Sequence, residues 1–430
     1  MNSKKTPAKE CDVAVIGGGP GGCAVSTILA MHGRDVQLFE REPGPRFHIG
    51  ESLIPMTYWP LKRMGMLERL ERSKFPRKYS VQFVSPEGRE SKPFFFFETN
   101  PHESAITWQV WRSHFDRLLL DNAAEKGVKV FKRARVLEVL FEGEKAVGVK
   151  VKVRDQDPVE VRANVVVDAS GQSSMLANRF GNREQNPYLR NGAVWSYFKG
   201  AKKTEGIEGG ATLVVSVGKR GWFWFIPLPG DVTSVGAIAS MDYLMGRGLS
   251  NEEIFNIELA DCPHMQDRLK DAKRVKPFYA TKDYSYISQM GSGDGFVMVG
   301  DAFGFIDPMY STGLLLALKS GEFAADAIHE GLARNDVSAA QLGGWQEKHR
   351  AAISTFMRMV YAFYSKDFSF GKFIRKHPEF RQAVVDILAG DVYRHDFEPM
   401  FQAIGAVVPT HAEHAKKAMA EQREAASASG

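Results

Sequence analysis

The stretch from Cys11 to Arg41 constrains the fold more than any other part of the chain. Cys11 to Ile16 is a short apolar run of strand character, Gly17-Gly18-Gly19-Pro20-Gly21-Gly22 follows, Ala24 to Met31 has a helical pattern, and Val36-Gln37-Leu38-Phe39 leads into Glu40-Arg41. Strand, glycine turn, helix, strand and acid in that order make a dinucleotide-binding βαβ unit. The glycines divide the work: one permits the tight turn, one lets the backbone approach a pyrophosphate, and one lets helix and strand pack closely. Gly17, Gly19, Pro20 and Gly22 are therefore candidate cofactor contacts. Glu40, about 20 residues downstream, is placed to accept hydrogen bonds from a ribose.

The pattern beyond this unit continues the same sheet and then leaves it. Trp108 to Lys126 reads as a short strand entering an amphipathic helix with Arg112 near its start and Phe115, Leu118 and Leu119 on its apolar side. Val128 to Val130, Ala134 to Phe141, Ala146 to Val153 and Val159 to Val167 read as strands, the last ending in Asp168-Ala169-Ser170-Gly171. From Tyr188 to about Tyr286 the runs Ala193 to Lys199, Gly210 to Val217, Gly221 to Pro227 and Thr233 to Ser240 are short and separated by turns, which predicts an inserted antiparallel sheet. Tyr79 to Glu98 is expected to add strands to it. Gly295 to Asp301 returns to the parallel pattern, and Ser311-Thr312-Gly313 precedes a helix over Leu314 to Leu332, whose N-terminus suits an anion. Residues from Ala339 to about Ser427 read as mostly helical, with Ala420 to Gly430 a frayed tail.

The expectation is thus an α/β protein: a Rossmann-like dinucleotide domain (1–78, 108–187 and 287–338), a substrate sheet (79–107 and 188–286) and a helical C-terminal region (339–430). With 430 residues the chain is too long for a small binding module. Its 56 basic and 51 acidic residues leave a net charge of +5, with no basic arm of the kind that neutralises phosphates, so nucleic acid is a poor partner. Cys11, Cys23 and Cys262 lack zinc-ligand spacing and are too few for a disulfide framework, which points to a reducing compartment. The polar start and the lack of any run of ~20 apolar residues predict no membrane span and a cytoplasmic location.

Only one glycine fingerprint is present, where a flavin and a nicotinamide bound by two full nucleotide domains would show two, and the spread of the site along the chain favours FAD. The fingerprint, Glu40-Arg41, Gln109 with Arg112, the Asp168-Ala169-Ser170-Gly171 strand end and the Gly300-Asp301 pair together resemble the FAD-dependent aromatic monooxygenase superfamily, over most of Asp12 to about Ile328. The resemblance implies that Glu40 and Arg41 hold the adenosine side, Arg112 lies near the pyrophosphate, Val136 makes backbone contacts beside the adenine, Asp168 belongs to the cofactor lip, and Asp301 binds the ribityl chain.

Trp222-Phe223-Trp224-Phe225-Ile226-Pro227 matches the Trp-x-Trp-x-Ile-Pro motif of the flavin-dependent halogenases. Alternation puts Trp222 and Trp224 on one face of a strand, where they could wall the flavin off from an organic substrate, with Ile226 and Pro227 beside them; two core tryptophans would read the same way. Phe47 to Pro55 resembles the family's Gly-Glu-Ser segment over the flavin, which makes Ser52 a cofactor candidate, and Lys78 stands in the place of the family's active-site lysine. The loop Asp307-Pro308-Met309-Tyr310-Ser311-Thr312-Gly313 resembles the one in which backbone N–H groups near Thr312 and Gly313 hold a halide, although plain monooxygenases use related loops.

The resemblance implies chemistry in which reduced FAD (FADH2) and O2 give a C4a-hydroperoxide, halide takes its distal oxygen, and Lys78 holds the hypohalous acid or becomes a haloamine. The second route needs a lysine pKa lowered by desolvation. A separate NAD(P)H-dependent flavin reductase is expected as partner, in a setting of secondary metabolism. Free-tryptophan halogenases usually carry Glu at the position of Tyr310, so its absence shifts the expected acceptor toward phenols or pyrroles, free or bound to a carrier protein. The alternatives are an aromatic monooxygenase, a geranylgeranyl-reductase-like oxidoreductase, or a flavoprotein that has become a scaffold. The basic run Lys372-Phe373-Ile374-Arg375-Lys376 suits an acidic carrier or a merely solvated helix face.

Overall fold

In a computed structural model, residues 7–405 are described except 45–46, 99, 219–220, 246–247, 283–284 and 366–367. The helical expectation beyond residue 405 and the frayed tail at 420–430 fall outside the described residues. The chain divides into two compact units: Met1–Arg77, Thr107–Gln185 and Tyr284–His349 form the first, and Lys78–Ile106, Asn186–Asp283 and Arg350–Gly430 the second. The helix Ala339–Gly343 counts with the first unit, whereas the sequence pattern groups it with the C-terminal helices.

The first unit is built on the strand Glu10–Ile16, which pairs in parallel with Val36–Glu40 on one side and Val159–Asp168 on the other. Val13 to Ile16 are buried, as a central parallel strand covered on both faces requires. Lys129–Lys132 and Phe296–Met298 extend the parallel order, and the hairpin Ala134–Glu142 with Lys145–Val153 continues antiparallel from Val159–Asp168. The fingerprint helix spans Pro20–Met31 and begins at proline, whose fixed φ and missing N–H suit a first helical position.

The second long helix of this unit, Gly313–Arg334, packs on the first at Gly321, where a built Cβ would lie 2.7 Å from the Gly21 carbonyl oxygen and 2.8 Å from the Ala24 Cβ. Only glycine permits that approach. The helix after the Thr107–Trp108 strand runs from Arg112 to Glu125, four residues later than the apolar pattern suggests, because Gln109 and Val110 donate to the backbone of Pro76 and Glu51 instead.

The second unit holds a sheet in the order Lys273–Arg274, Asn191–Lys199, Val232–Ser240, Gly221–Leu228, Thr212–Val217, Ser80–Val84, Phe94–Phe95, with Tyr279–Lys282 also on Asn191–Lys199. It is not wholly antiparallel, since Ser80–Val84 runs parallel to Thr212–Val217. Side chains alternate between two different environments. Phe223, Phe225, Leu213, Val215, Val235 and Ala237 pack into an apolar cluster with Phe255 and Met265 from the helices Asn251–Ala260 and Pro263–Leu269. The other face carries the tryptophans. The helices Phe370–Lys376, Arg381–Ala389 and Glu398–Ile404, with the later part of Gln346–Tyr364, complete the unit.

Candidate functional site

In the first unit the glycine turn is shaped by backbone contact. Gly17 has φ +102°, and a Cβ there would lie 2.4 Å from the Ala169 carbonyl oxygen; one at Gly22 would lie 2.0 Å from the Gly17 carbonyl oxygen. Neither position accepts a side chain. Around a Cβ built at Gly19, which caps the helix beginning at Pro20, nothing lies within 4 Å, so the turn offers open space where a phosphate group needs it. Glu40 closes the turn: its Oε2 accepts from the Gly18 N–H at 2.8 Å and its Oε1 from the Glu42 N–H at 2.8 Å. Arg41 is exposed, 3.5 Å from Glu42 and with a 3.4 Å donation to the Ser173 hydroxyl. Val136 is buried in the strand Ala134–Glu142, opposite Val151 and beside a bulge.

Arg112 is the first residue of its helix, and its guanidinium is held on both sides. Nε and Nη2 donate to the two oxygens of the buried Asp116 at 2.9 and 3.0 Å, and Nη1 donates to the Ile49 carbonyl at 2.7 Å. The arginine thereby anchors the segment 49–52, in which Gly50 has φ +101° and Ser52 is buried in a bridge to Gln109. Asp116 escaped the sequence reading, although its i,i+4 spacing from Arg112 was visible.

Asp168, expected as a cofactor contact, has its carboxylate engaged by its own chain. It is fully buried, and its two oxygens accept from the Ser170 N–H at 3.0 Å and the Leu176 N–H at 2.8 Å, so the carboxylate faces its own chain and braces the strand end. Burial raises its pKa, and the Leu176 and Ser170 hydrogen bonds oppose the shift. Asp301 presents the opposite case. No hydrogen bond or ion pair joins its half-buried carboxylate to a described residue, and desolvation lifts it to about 6 against the pull of Arg112. Its backbone is fixed instead: the Tyr286 hydroxyl donates to the Asp301 carbonyl at 2.5 Å, while Gly300 N–H donates to the Ser320 hydroxyl at 2.9 Å. Tyr286 and Ser320 carry no sequence signal that could have found them.

The loop after Asp301 ends at a second helix start. Buried Asp307 accepts from the Met309 N–H at 2.9 Å, Ser311 takes a left-handed φ of 58°, and Thr312 and Gly313 then open the helix Gly313–Arg334. The Thr312 hydroxyl is buried and finds no hydrogen-bond partner among the described residues. Tyr310 is buried beside it in sequence, and burial, with Asp307 adding to it, holds its phenol well above the usual range. Open space at Gly19, and at Asp301 and Thr312 a carboxylate and a hydroxyl without hydrogen-bond partners among the described residues, are what a large polar cofactor and an accompanying anion would fill, so the residues present fit FAD. Among the described residues no group of three His, Cys, Asp or Glu is placed to hold a metal ion.

In the second unit Lys78 lies two residues before the strand Ser80–Val84, at the sheet end where Pro227 and Leu228 lie. It is 1% exposed, its Nζ stands 5.6 Å from the centre of the Phe96 ring, and burial alone pushes the ammonium down to about 7. A lysine in that state exchanges its proton near neutrality.

Trp222 and Trp224 share one face, with ring centres 6.4 Å apart, and both are buried. Ile226 and Pro227 follow them, also buried. Trp224 Nε1–H donates to the Ser234 hydroxyl at 3.0 Å, and Trp222 Nε1–H to the Tyr364 hydroxyl at 2.9 Å. Strand register sets Phe83, Val214, Trp224, Gly236, Trp195 and Tyr279 in one row across the sheet. Gly236 is obligatory there, since a Cβ would lie 2.2 Å from the Trp224 ring and 2.5 Å from the Trp195 Cβ. The face is therefore a continuous aromatic layer.

Comparison with known proteins settles the family. The tryptophan halogenase family model matches residues 97–403, and the FAD dependent oxidoreductase model matches residues 12–181. The chain belongs to the flavin-dependent halogenases. This halogenase is 32% identical over 427 residues to a 1H-pyrrole-2-carbonyl-[peptidyl-carrier protein] chlorinase of Pseudomonas fluorescens, covering 94% of this chain and 95% of that one. It is 30% identical over 387 residues to a 1H-pyrrole-2-carbonyl-[peptidyl-carrier protein] brominase of Pseudoalteromonas luteoviolacea, covering 89% and 92%. Among solved structures, the myxobacterial chondrochloren halogenase CndH superposes with a TM-score of 0.79 at 33% identity, over 92% of this chain and 93% of that one. The flavin-dependent brominase Bmp2 gives 0.82 at 27% identity, over 96% and 100%. The protein is an enzyme that uses FAD and a halide, with an α/β fold carrying a FAD-binding domain. Among the described residues no helix is long and apolar enough to cross a membrane.

Proposed function

We propose that this halogenase places chloride or bromide on an electron-rich ring of phenol or pyrrole type, delivered by a carrier protein, with Lys78 holding the halogen before transfer. When bound and reduced, FAD supplies with O2 the oxidising equivalent that converts halide to hypohalous acid. Gly17, Gly19, Pro20 and Gly22 with Glu40 and Arg41 take its nucleotide end, and Asp301 its ribityl hydroxyls. Arg112, Ser52 and Val136 shape the walls around it, and Asp168 works from behind by bracing the lip. Thr312 and Gly313 hold the halide with the hydroxyl and the first N–H groups of their helix.

The Lys78 ammonium keeps the hypohalous acid from diffusing by donating a hydrogen bond to it. On transfer the ring gains a carbon–halogen bond and loses its proton, which leaves with the hydroxide of the hypohalous acid as water. Trp222 and Trp224, with Ile226 and Pro227, line the acceptor's surroundings and exclude water. Tyr310 cannot take the ring proton as a carboxylate would, so the ring itself must be electron-rich.

The observation that carries this reading is the buried lysine of lowered pKa just before the strand Ser80–Val84 of the sheet that bears the tryptophan motif. The pyrrole and carrier assignments are supported by the two pyrrolyl-carrier relatives, whose lengths this chain nearly spans. One fingerprint and no second nucleotide motif support a separate NAD(P)H-dependent flavin reductase as electron source, and three free cysteines support a cytoplasmic setting. The test is product mass analysis with an independent reductase, NADH, FAD and O2, on pyrrole-2-carbonyl carrier protein and on free phenols, with and without halide. The proposal requires a halogen isotope pattern on the carrier-bound pyrrole that disappears without halide. Oxygen insertion irrespective of halide would contradict it.

A further inference from the structure

Several exposed or half-buried cations of the second unit stand opposite a carboxylate: Lys202 by Asp267, Lys203 by Asp231, Arg274 by Glu252 and Arg381 by Glu98. The helix Phe370–Lys376 departs from this pattern. Phe370 and Phe373 are buried, while Lys372, Arg375 and Lys376 are exposed, and their i, i+3 and i+4 spacing brings the three cations to one side of the helix. None of these three side chains makes an ion pair or hydrogen bond with a described residue. Carboxylates that could neutralise them are engaged elsewhere: Glu379 lies 3.3 Å from His377, and Glu98 accepts from Arg381 at 2.8 Å.

The same helix is joined to the tryptophan face by a series of tilted and edge-on ring contacts. Trp222 meets Phe363 at 6.4 Å, Phe363 meets Phe83 at 6.5 Å, and Phe83 meets Phe370 at 5.4 Å between ring centres. The cationic face is therefore mounted on a rigid aromatic path leading to Trp222. Three unpaired positive charges at one end of such a path suit an anion whose cargo must arrive at the other.

We infer that the face formed by Lys372, Arg375 and Lys376 is the docking surface for a phosphopantetheine-bearing carrier protein, which it holds by the phosphodiester at the base of the arm and the acidic groups around it. The inference rests on the reading that the acceptor ring arrives carrier-bound. The phosphodiester is a permanent anion. The arm from phosphate oxygen to sulfur spans about 14 Å at the rise per bond of an extended peptide, the same order as the three ring steps from Phe370 to Trp222. Free phenols or free pyrroles need no such surface.

The experiment compares pyrrole-2-carbonyl carrier protein with the same acyl group on N-acetylcysteamine, in the full chain with FAD, reductase, O2 and a fixed halide concentration. In the variant K372E/R375E/K376E, kcat/KM for the carrier substrate should fall roughly tenfold or more at low ionic strength, while the N-acetylcysteamine thioester is turned over as before. For the unaltered chain, added potassium acetate should slow the carrier reaction and leave the small thioester alone; in the variant this salt dependence should flatten. K372A/R375A/K376A should act in the same direction to a smaller extent, which separates lost attraction from introduced repulsion, and unchanged FAD binding reports an intact fold. Equal losses on both substrates, or none on the carrier substrate, would overturn the docking surface while leaving the carrier reading intact. If the unaltered chain halogenates only the small thioester, the carrier reading itself fails, and the docking surface with it.

Discussion

The two units meet the demands of the same reaction by different means. In the first, the candidate site is made chiefly of backbone: glycines at 17 and 22 touching carbonyl oxygens, an open approach at Gly19, and carboxylates at Glu40 and Asp168 that accept N–H groups of their own chain. In the second, the candidate chemistry lies in side chains set into an apolar layer, a lysine pressed toward neutrality by burial and tryptophans aligned by strand register. A cofactor of fixed shape is served by fixed backbone geometry. A reactive halogen calls for a tuned side chain, and tuning by desolvation requires an apolar setting.

This contrast predicts its largest break at the glycine turn. Gly22→Val should reduce FAD affinity by more than a hundredfold, read by fluorescence titration, because the new Cβ would collide with the Gly17 carbonyl and no flexible side chain can yield. Trp222→Phe, by comparison, should leave FAD affinity unchanged. A loss of FAD binding in Trp222→Phe would dissolve the division of labour.

A smaller effect is expected at Asp168. Asp168→Asn can accept only one of the two backbone N–H groups, so thermal or urea unfolding should show a loss of about 1–3 kcal/mol. An unchanged midpoint would mean that the carboxylate does not brace the strand end.

Lys78 offers a test with a definite sign. Its folded pKa, about 7, lies below its ordinary value of 10.5, so between those values the unfolded chain holds more protons and stability rises with pH on account of this group. Below pH 7 the full penalty of burying a charge remains. Lys78→Met should accordingly stabilise the fold most at pH 6, and its advantage should shrink steadily from pH 7 to pH 10. A pH-independent difference in unfolding midpoint would show that the lysine is not desolvated.

The smallest effect is expected at Tyr364→Phe, which removes the acceptor of the Trp222 indole N–H. It should cost about 1 kcal/mol in stability and only a few-fold in halogenation rate, with FAD affinity preserved.

Legibility in the sequence follows the same division. The parallel sheet, the glycine turn and the four strands from Asn191 to Ser240 were readable because each rests on a local pattern of apolar residues, glycine and alternation. The late start of the helix at Arg112 was not, since Gln109 and Val110 are claimed by the backbone of Pro76 and Glu51, more than thirty residues away. Nor was the parallel pairing of Ser80–Val84, because a strand's direction is a property of its partner.

Among candidate site residues, Lys78 and the tryptophans were found through a motif, and the depressed lysine pKa became visible only with burial. The inward turn of Asp168 depends on the Leu176 N–H, and the anchoring of Asp301 on Tyr286 and Ser320, residues with no distinguishing local pattern. The row from Phe83 to Tyr279 required a register across six strands. Gly236 then explains why glycine stands in the middle of a buried strand.

The central claim is that Lys78 holds the halogen, and the most direct measurement is halogenated product per bound FAD in Lys78→Ala beside the unaltered protein, by isotope-resolved mass spectrometry. The account predicts unchanged FAD binding and a loss of halogenated product of roughly a thousandfold or more. Product formation at the unaltered rate in Lys78→Ala would contradict it.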